Sequence, residues 1–213
     1  MESFIKFYAA VNANTSIQLQ RTIEQLMLQG TKSLHLLLAT PGGSVHDGIS
    51  IYNLLKGLPI EVSTYNFGSV DSIGVVMFCA GENRFSVPHA RFLLHPVSTQ
   101  FLSGQTLDEP SIEESLKLIK ADQENIAKII STTINKSVEE VQKMIHNRTT
   151  LDPDTAHKLG LVTKIKSSLV PAGSQLHSIY DQQVQQQIQF PLRGVTVNPQ
   201  QGFSVPTKSY TSI

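Results

Sequence analysis

An alternation of short apolar runs with amphipathic helical segments most constrains how this chain can fold. The run from Leu34 to Leu38 is almost unbroken, which is typical of a strand covered on both faces, and a Pro-Gly-Gly turn follows it at residues 41–43. Apolar residues then recur with helical spacing over residues 45–55, and a second strand pattern covers residues 60–65. This order predicts a βαβ unit, so we expect an α/β protein.

The same alternation extends to both sides of this unit. Residues 112–134 keep helical spacing without a glycine or proline, which predicts one helix of about 24 residues. A turn is predicted at residues 103–105. The remaining predicted strands cover residues 4–11, 84–87, 91–95 and 161–165, and the remaining helices cover 17–27, 72–80, a segment beginning at 137, and 156–161.

Composition limits the domain number and the classes of partner. The chain has 213 residues, with 17 basic and 17 acidic side chains, so it has no net charge that would attract nucleic acid or an anionic membrane. We expect one domain over residues 1–166, followed by a polar, mobile tail over 167–213 that is rich in glutamine and interrupted by proline. Neither a signal peptide nor a membrane span is apparent, which favours a soluble, cytoplasmic protein.

Three features of the sequence point to nucleophilic chemistry. Ser72 precedes an apolar run, His95 ends another, and the glycine-rich turn contains Gly43. A serine hydroxyl needs an imidazole to accept its proton and amides to stabilise the oxyanion, and these segments contain all three kinds of group. The other histidines show no metal-ligand spacing, so we expect no metal site. These features predict a serine peptidase.

The order of these motifs resembles the ClpP family, the proteolytic subunit of the Clp protease. The resemblance covers residues 5–165, and it depends on many short motifs in sequence rather than on any one of them. The matching motifs are Pro41-Gly42-Gly43, Gly48, Ile51-Tyr52-Asn53, Val62-Ser63-Thr64, Gly68, Ser72-Ile73-Gly74, Ala80-Gly81, Arg84, Pro88, Ala90-Arg91, His95, Ala156 and Gly160-Leu161-Val162.

The resemblance implies a fold and a mechanism. The fold would be of the ClpP/crotonase type, with stacked βαβ units and a protruding handle helix over residues 112–134. Ser72 would be the nucleophile, His95 the base, and the amides of Gly43 and Ile73 the oxyanion hole. The substrate would be a peptide or an unfolded protein, and no cofactor is required.

The third position of the catalytic triad departs from the family. The family's aspartate falls on Arg148, which cannot accept a hydrogen bond from imidazole. Asn147 is the tentative third member, because its amide oxygen could orient His95 after a shift of one residue. Asp152 is an alternative, although its place before Pro153 favours a helix cap. A dyad of serine and histidine remains the third possibility.

The partners and the alternative functions also follow from the resemblance. The handle helix implies a homo-oligomeric ring. An AAA+ unfoldase partner is left open, because the core is expected to begin within about five residues of Met1, which leaves no room for the axial segment of the family. Two alternatives are a catalytically weak or inactive ring subunit, which Arg148 favours, and an acyl-CoA-handling enzyme of the same fold.

Overall fold

The computed structural model describes residues 1–99, 101 and 106–181. Eight strands lie within these residues and form one sheet. The strands are β1 (Glu2–Tyr8), β2 (Ser33–Thr40), β3 (Glu61–Asp71), β4 (Asn83–Ser86), β5 (Arg91–Leu93), β6 (Thr150–Leu151), β7 (Lys164–Ile165) and β8 (Leu176–Tyr180).

Six helices connect these strands within the described residues. They are α1 (Ala13–Leu28), α2 (Val45–Gly57), α3 (Ile73–Phe78), α4 (Glu109–Ile134), α5 (Val138–His146) and α6 (Pro153–Lys158). The capping residues explain where several of them begin. Asn12 starts α1 and Ser137 starts α5, each with a capping box in which side chains satisfy free amides of the first turn.

The sheet is almost entirely parallel. Its main path runs β6-β5-β3-β2-β1-β8, and β4 pairs with β3 and with β7 beside this path. Strand β3 changes partner along its length, because residues 63–66 pair with β4 and residues 69–71 pair with β5. The pairing of β5 with β6 is antiparallel. Strand β3 therefore joins the two parts of the sheet and continues to the residue before Ser72.

The core lies between the sheet and the helices that follow each strand. Residues of β2 and α3 are almost completely buried, which agrees with their near-continuous apolar sequences. Helix α4 has two different halves. Its second half is buried through Ile126, Ala127 and Ile130, whereas Ile112 and Leu118 in its first half are exposed. The predicted single long helix is confirmed, but only its second half packs on the core.

Two differences from the predicted elements bear on the architecture. Strand β3 extends to Asp71, beyond the predicted end at residue 65, because its second half pairs with β5. Strand β8 lies within the segment that we expected to be a tail, and it pairs in parallel with β1. The regular structure therefore continues past residue 166. The predicted turn at 103–105 and the rest of the predicted tail, from residue 182, lie outside the described residues.

A search of the described helices finds none with the length and hydropathy needed to span a membrane.

Candidate active site

Four parallel strands bring the candidate site together. Strands β1, β2, β3 and β5 run in the same direction, so their carboxyl ends lie at one edge of the sheet. The segments that leave these ends contain Val11, Gly43, Ser72 and His95 in that order. Open parallel sheets place their ligand sites at this edge, and the topology therefore explains how residues so distant in sequence meet.

Ser72 adopts a backbone conformation that few non-glycine residues adopt. Its φ is 58° and its ψ is −128°, at the sharp turn between β3 and α3. Such a conformation costs about 1–3 kcal/mol and persists only where the surrounding structure enforces it. The Ser72 amide donates a 2.7 Å hydrogen bond to the carbonyl of Leu93, which fixes the turn against β5. Ser72 makes no side-chain capping bond to α3. Its hydroxyl is thus not used as a helix cap.

The glycine turn after β2 passes very close to Ser72 and to the segment after β1. A Cβ on Gly42 would lie 2.5 Å from the Ser72 Cβ, and a Cβ on Gly43 would overlap the Val11 carbonyl oxygen. Gly43 also has a φ of 145°, which disfavours any other residue. The turn is held by the amide of Val11, which donates to the Gly42 carbonyl, and by the amide of Ser44, which donates to the Val11 carbonyl, each at 2.8 Å.

Two backbone amides at this site have no internal acceptor within the described residues. The bonds of the glycine turn use the amides of Gly42 and Ser44 and leave that of Gly43 free. Ile73 is the first residue of α3, where the helix offers its amide no partner. These are the amides that the sequence assigned to an oxyanion hole.

His95 lies two residues beyond β5, and its ring is oriented by the backbone. Its Nδ1 atom is 2.9 Å from the carbonyl oxygen of Pro96. A carbonyl oxygen can only accept a hydrogen bond, so Nδ1 carries the proton and donates it. The lone pair of the neutral ring is then on Nε2, the nitrogen that a general base would use.

One cavity contains all four of the predicted residues. Its volume is about 70 Å³, and Gly43, Ser72, Ile73 and His95 all line it. The rest of its wall is largely apolar and comes from three segments: Val45 at the start of α2, Leu94, Val97 and Ser98 after β5, and Ile126, Ile130 and Ile145 from α4 and α5. The structure thus places the candidate nucleophile, base and oxyanion amides around a single small, mostly apolar space.

The structure does not bring Asn147 into this cavity. Asn147 is the C-cap of α5, and it lines a different cavity together with Lys136, Glu140 and Thr149. The amide of Thr149 donates to Met144 and that of Arg148 to Ile145, so the segment closes α5 in a Schellman arrangement.

Arg148 occupies the left-handed position of this arrangement, with a φ of 52°. The position that the sequence aligned with the family's aspartate is therefore used to end a helix.

Asp152 has the structural role that the sequence favoured. It is the N-cap of α6, and its carboxylate accepts a 2.7 Å hydrogen bond from the amide of Thr155. This hydrogen bond lowers the pKa of Asp152 below its usual value. Asp152 does not line the cavity that contains His95, and the described hydrogen bond of His95 Nδ1 is with the Pro96 carbonyl.

Two further groups bear on the chemistry of the site. Cys79 is buried at the C-terminal end of α3, and burial raises the pKa of its thiol to about 11, so it stays protonated and is not a competing nucleophile at neutral pH. In the part of the chain that the structure describes, no three histidine, cysteine or acidic side chains cluster in a way that would hold a metal ion.

Sequence reasoning missed two parts of this site. The apolar wall was one of them: Ile126 and Ile130 were assigned to the protruding handle helix and Ile145 was not singled out, because helical spacing marks an apolar face without showing what it faces. The ion pair between Asp71 and Arg91 was also missed. A charged residue directly before a candidate nucleophile, at the end of a buried strand, was the available signal for it.

Comparison with known proteins identifies the family. A protein-family model described as Clp protease matches residues 1–168. The chain belongs to the Clp protease family. Among curated proteins, the ATP-dependent Clp protease proteolytic subunit of Bdellovibrio bacteriovorus is 30% identical over 141 residues, which cover 64% of this chain and 65% of that protein. The chain therefore matches a little less than two thirds of this relative's length.

A solved structure shows that the fold is that of the Clp protease subunit. A mutant of ClpP1 from Listeria monocytogenes superposes with a TM-score of 0.70 and 23% sequence identity, covering 78% of this chain and 91% of that one. The expected α/β fold of the ClpP/crotonase type is thereby confirmed. Membership of the Clp protease family also agrees with the resemblance found in the sequence.

Proposed function

We propose that this protein is a serine endopeptidase of the Clp protease type, with Ser72 as nucleophile and His95 as general base. The observation that carries the proposal is the conformation of Ser72. Ser72 has an unfavourable φ of 58° and lines one cavity with His95, Gly43 and Ile73, and the amides of Gly43 and Ile73 have no internal acceptor within the described residues. Backbone strain of this kind is concentrated at functional sites, and here every group that acylation needs surrounds it.

The proposed reaction follows from these groups. The Ser72 oxygen attacks the peptide carbonyl carbon while its proton passes to Nε2 of His95. The carbonyl oxygen becomes an oxyanion, which the amides of Gly43 and Ile73 stabilise by hydrogen bonds. His95 then donates the proton to the leaving amine, and water hydrolyses the acyl-enzyme through the same base. Peptides or unfolded proteins are the proposed substrates, and none of these steps needs a cofactor.

We propose that the site works as a serine-histidine dyad oriented by the Pro96 carbonyl. This carbonyl lies 2.9 Å from Nδ1 of His95 and selects the tautomer that a base requires. A neutral carbonyl stabilises an imidazolium less than a carboxylate does, and replacing the acid of a complete triad lowers kcat by about 10⁴-fold. We therefore expect slow basal cleavage. Asn147 as third member remains a prediction, and it would require the end of α5 to rearrange.

A fluorophosphonate probe tests the nucleophile. The serine oxygen would form a bond to phosphorus, fluoride would leave and His95 would take the proton. We expect mass spectrometry of the labelled protein to locate the adduct on Ser72, with labelling lost in Ser72→Ala and strongly slowed in His95→Ala. An adduct on another residue, or undiminished peptide cleavage in Ser72→Ala, would show that the assignment is wrong. A wild type that resists labelling would favour an inactive subunit.

We also propose that the protein is a homo-oligomer, most simply a ring, that assembles through the first half of α4. Ile112 and Leu116 are exposed one helical turn apart on the same face of this half, and exposed apolar residues aligned in this way favour burial against another subunit. Sedimentation should show species far above 23.4 kDa. Leu116→Glu should shift them toward the monomer, whereas Leu28→Glu, at a still more exposed leucine at the end of α1, should not.

A further inference from the structure

The ion pair between Asp71 and Arg91 lies directly beside the proposed nucleophile. Asp71 is the last residue of β3 and precedes Ser72, while Arg91 begins β5. The two side chains meet at 2.8 Å between the Arg91 guanidinium and one Asp71 carboxylate oxygen. The other carboxylate oxygen accepts a 2.9 Å hydrogen bond from the Ser69 hydroxyl. Only 10% of the Asp71 side chain is exposed, so the carboxylate is both buried and fully paired.

The pairing between β3 and β5 is short, although the strands lead to Ser72 and His95. It consists of three residue pairs: Ser69 with Arg91, Val70 with Phe92, and Asp71 with Leu93. Ser72 follows one strand of this ladder directly, and His95 follows the other after two residues. The distance between the proposed nucleophile and base therefore depends on the alignment of this three-residue ladder and of the 2.7 Å hydrogen bond from the Ser72 amide to the Leu93 carbonyl that continues it.

Arg91 is attached to β3 at both of its ends. Its carbonyl accepts a 2.8 Å hydrogen bond from the side-chain amide of Asn66, which is buried at the point where β3 leaves β4. Its guanidinium reaches diagonally across the ladder to Asp71. The two contacts lie five residues apart along β3, one at Asn66 before the ladder and one at Asp71 in its last residue pair. They therefore oppose sliding of β5 along β3, a movement that would carry His95 away from Ser72.

We propose that Asp71 and Arg91 are positioning residues, whose ion pair locks β5 against the end of β3 and so sets Ser72 relative to His95. The inference depends on the proposed function, because it concerns the geometry of that site. Neither side chain is a group that reacts. Loss of the ion pair leaves the fold and the cavity wall in place but loosens the alignment of nucleophile and base, and a misplacement of about 1 Å can reduce a rate by about 100-fold.

The test compares the rate of Ser72 acylation by a small fluorophosphonate in four proteins: wild type, Asp71→Asn, Arg91→Gln and the double variant. We expect each single variant to react about tenfold more slowly, within the loss that misalignment causes. The double variant should be no slower than the singles, because the two residues act as one unit. Cleavage of a peptide should lose kcat with KM unchanged. Arg91→Lys keeps a cation that can reach Asp71, and it should recover most of the rate.

A matched control lies at the other end of the same strand. Glu61 at the start of β3 accepts a 2.7 Å hydrogen bond from the side chain of Asn83 on β4, far from Ser72 along the strand. Glu61→Gln should leave the acylation rate unchanged. The melting temperature of each variant shows whether it is folded at the temperature of the assay. If Arg91→Gln is unfolded there, Arg91→Lys still tests the role of the ion pair.

The outcomes separate this inference from the proposed function. Wild-type rates in Asp71→Asn and Arg91→Gln would overturn the positioning role while Ser72 remains the nucleophile. An equal loss in Glu61→Gln would also overturn it, since general loosening of β3 would then explain the data. A wild type that is not labelled at Ser72 would overturn the proposed function, and this inference with it.

Discussion

Within the described residues three non-glycine residues have a positive φ of 51–58°, and two of them, Ser72 and Arg148, differ in what surrounds them. Ser72, at 58°, lies between a strand and a helix, and Arg148, at 52°, follows the end of a helix. Around Ser72, the amides of Ile73 and Gly43 have no internal acceptor within the described residues. Around Arg148, the amides of Arg148 and Thr149 both donate to carbonyls of α5. A strained residue indicates a reactive site only where its neighbours leave hydrogen-bonding groups free.

The largest expected loss of activity comes from adding a methyl group at Gly43, beside the turn at Ser72. Gly43→Ala would place a methyl group against the Val11 carbonyl in a backbone conformation that alanine disfavours. The Gly43 amide would move away from the oxyanion position, and loss of one such donor costs about 10²–10³ in kcat. Fluorophosphonate labelling and peptide cleavage should both fall by this order. Gly57→Ala, at a glycine with open space around it, is the matched control and should keep the wild-type rate.

Removal of the N-cap of α6, four residues after Arg148, tests whether Asp152 acts only on stability. Asp152→Ala removes the hydrogen bond to the Thr155 amide, so the melting temperature should fall by a few degrees while the acylation rate is unchanged. Asp154→Ala, in the same helix turn, controls for the loss of a carboxylate. Loss of activity with retained stability in Asp152→Ala would instead show that Asp152 is the triad acid.

The same cap gives a pH dependence of known sign. The pKa of Asp152 is lowered in the folded protein by its hydrogen bond to Thr155, so the folded state binds its proton less readily than the unfolded state. The cap therefore stabilises the fold above the ordinary aspartate pKa of about 4, and the effect is lost as the pH falls through the lowered value. The difference in melting temperature between wild type and Asp152→Ala should shrink over that range. A constant difference would contradict this.

A smaller effect, of opposite sign, is expected at Arg148. Glycine removes the steric cost of the left-handed conformation, which is about 1–2 kcal/mol for an ordinary residue, and part of this gain is offset by the greater freedom of the unfolded chain. Arg148→Gly should therefore raise the free energy of unfolding by about 0.5–1 kcal/mol, measured by urea denaturation. Asn135→Gly, at a φ of 51°, should gain less because asparagine tolerates this conformation.

The smallest expected effect on rate is that of Asn147→Asp. In this structure Asn147 lines a cavity with Lys136 and Glu140, separate from that of His95, so a new carboxylate there should leave the acylation rate close to that of wild type. A rise of tenfold or more would show that the end of α5 rearranges during catalysis and that Asn147 does reach His95. The comparison between the two turns would then hold only for the protein without bound substrate.

Much of the fold follows from the sequence because buried strands and amphipathic helices leave strong patterns. The apolar run that became β2 and the helical spacing in α4 are examples, and both lie where they were predicted. Strand β8 was missed because it is a short edge strand. Ile179 is the only one of its residues that is fully buried, so its sequence has neither a continuous apolar run nor a clear alternation.

The candidate residues of the site were predictable from the sequence, except for the third position, which depends on backbone geometry. Ser72, His95 and the glycine turn follow strands whose parallel order brings their ends together, and the structure places all of them at one cavity. The third position depends on how α5 ends. A glycine usually marks this kind of helix end, but here arginine takes the left-handed position, so the sequence contained no signal that the segment was committed to a cap.

Strand β8 has a consequence for the outer boundary of the sheet. It begins after residue 168, where the match to the family model ends, and it covers the side of β1 that β2 does not. A chain shortened to residue 168 would retain every residue of the cavity, but it would expose the seven-residue strand β1 as an unpaired edge. Unpaired edges are templates for pairing with other chains. Such a shortened protein would aggregate edge to edge while keeping all the residues of the candidate site.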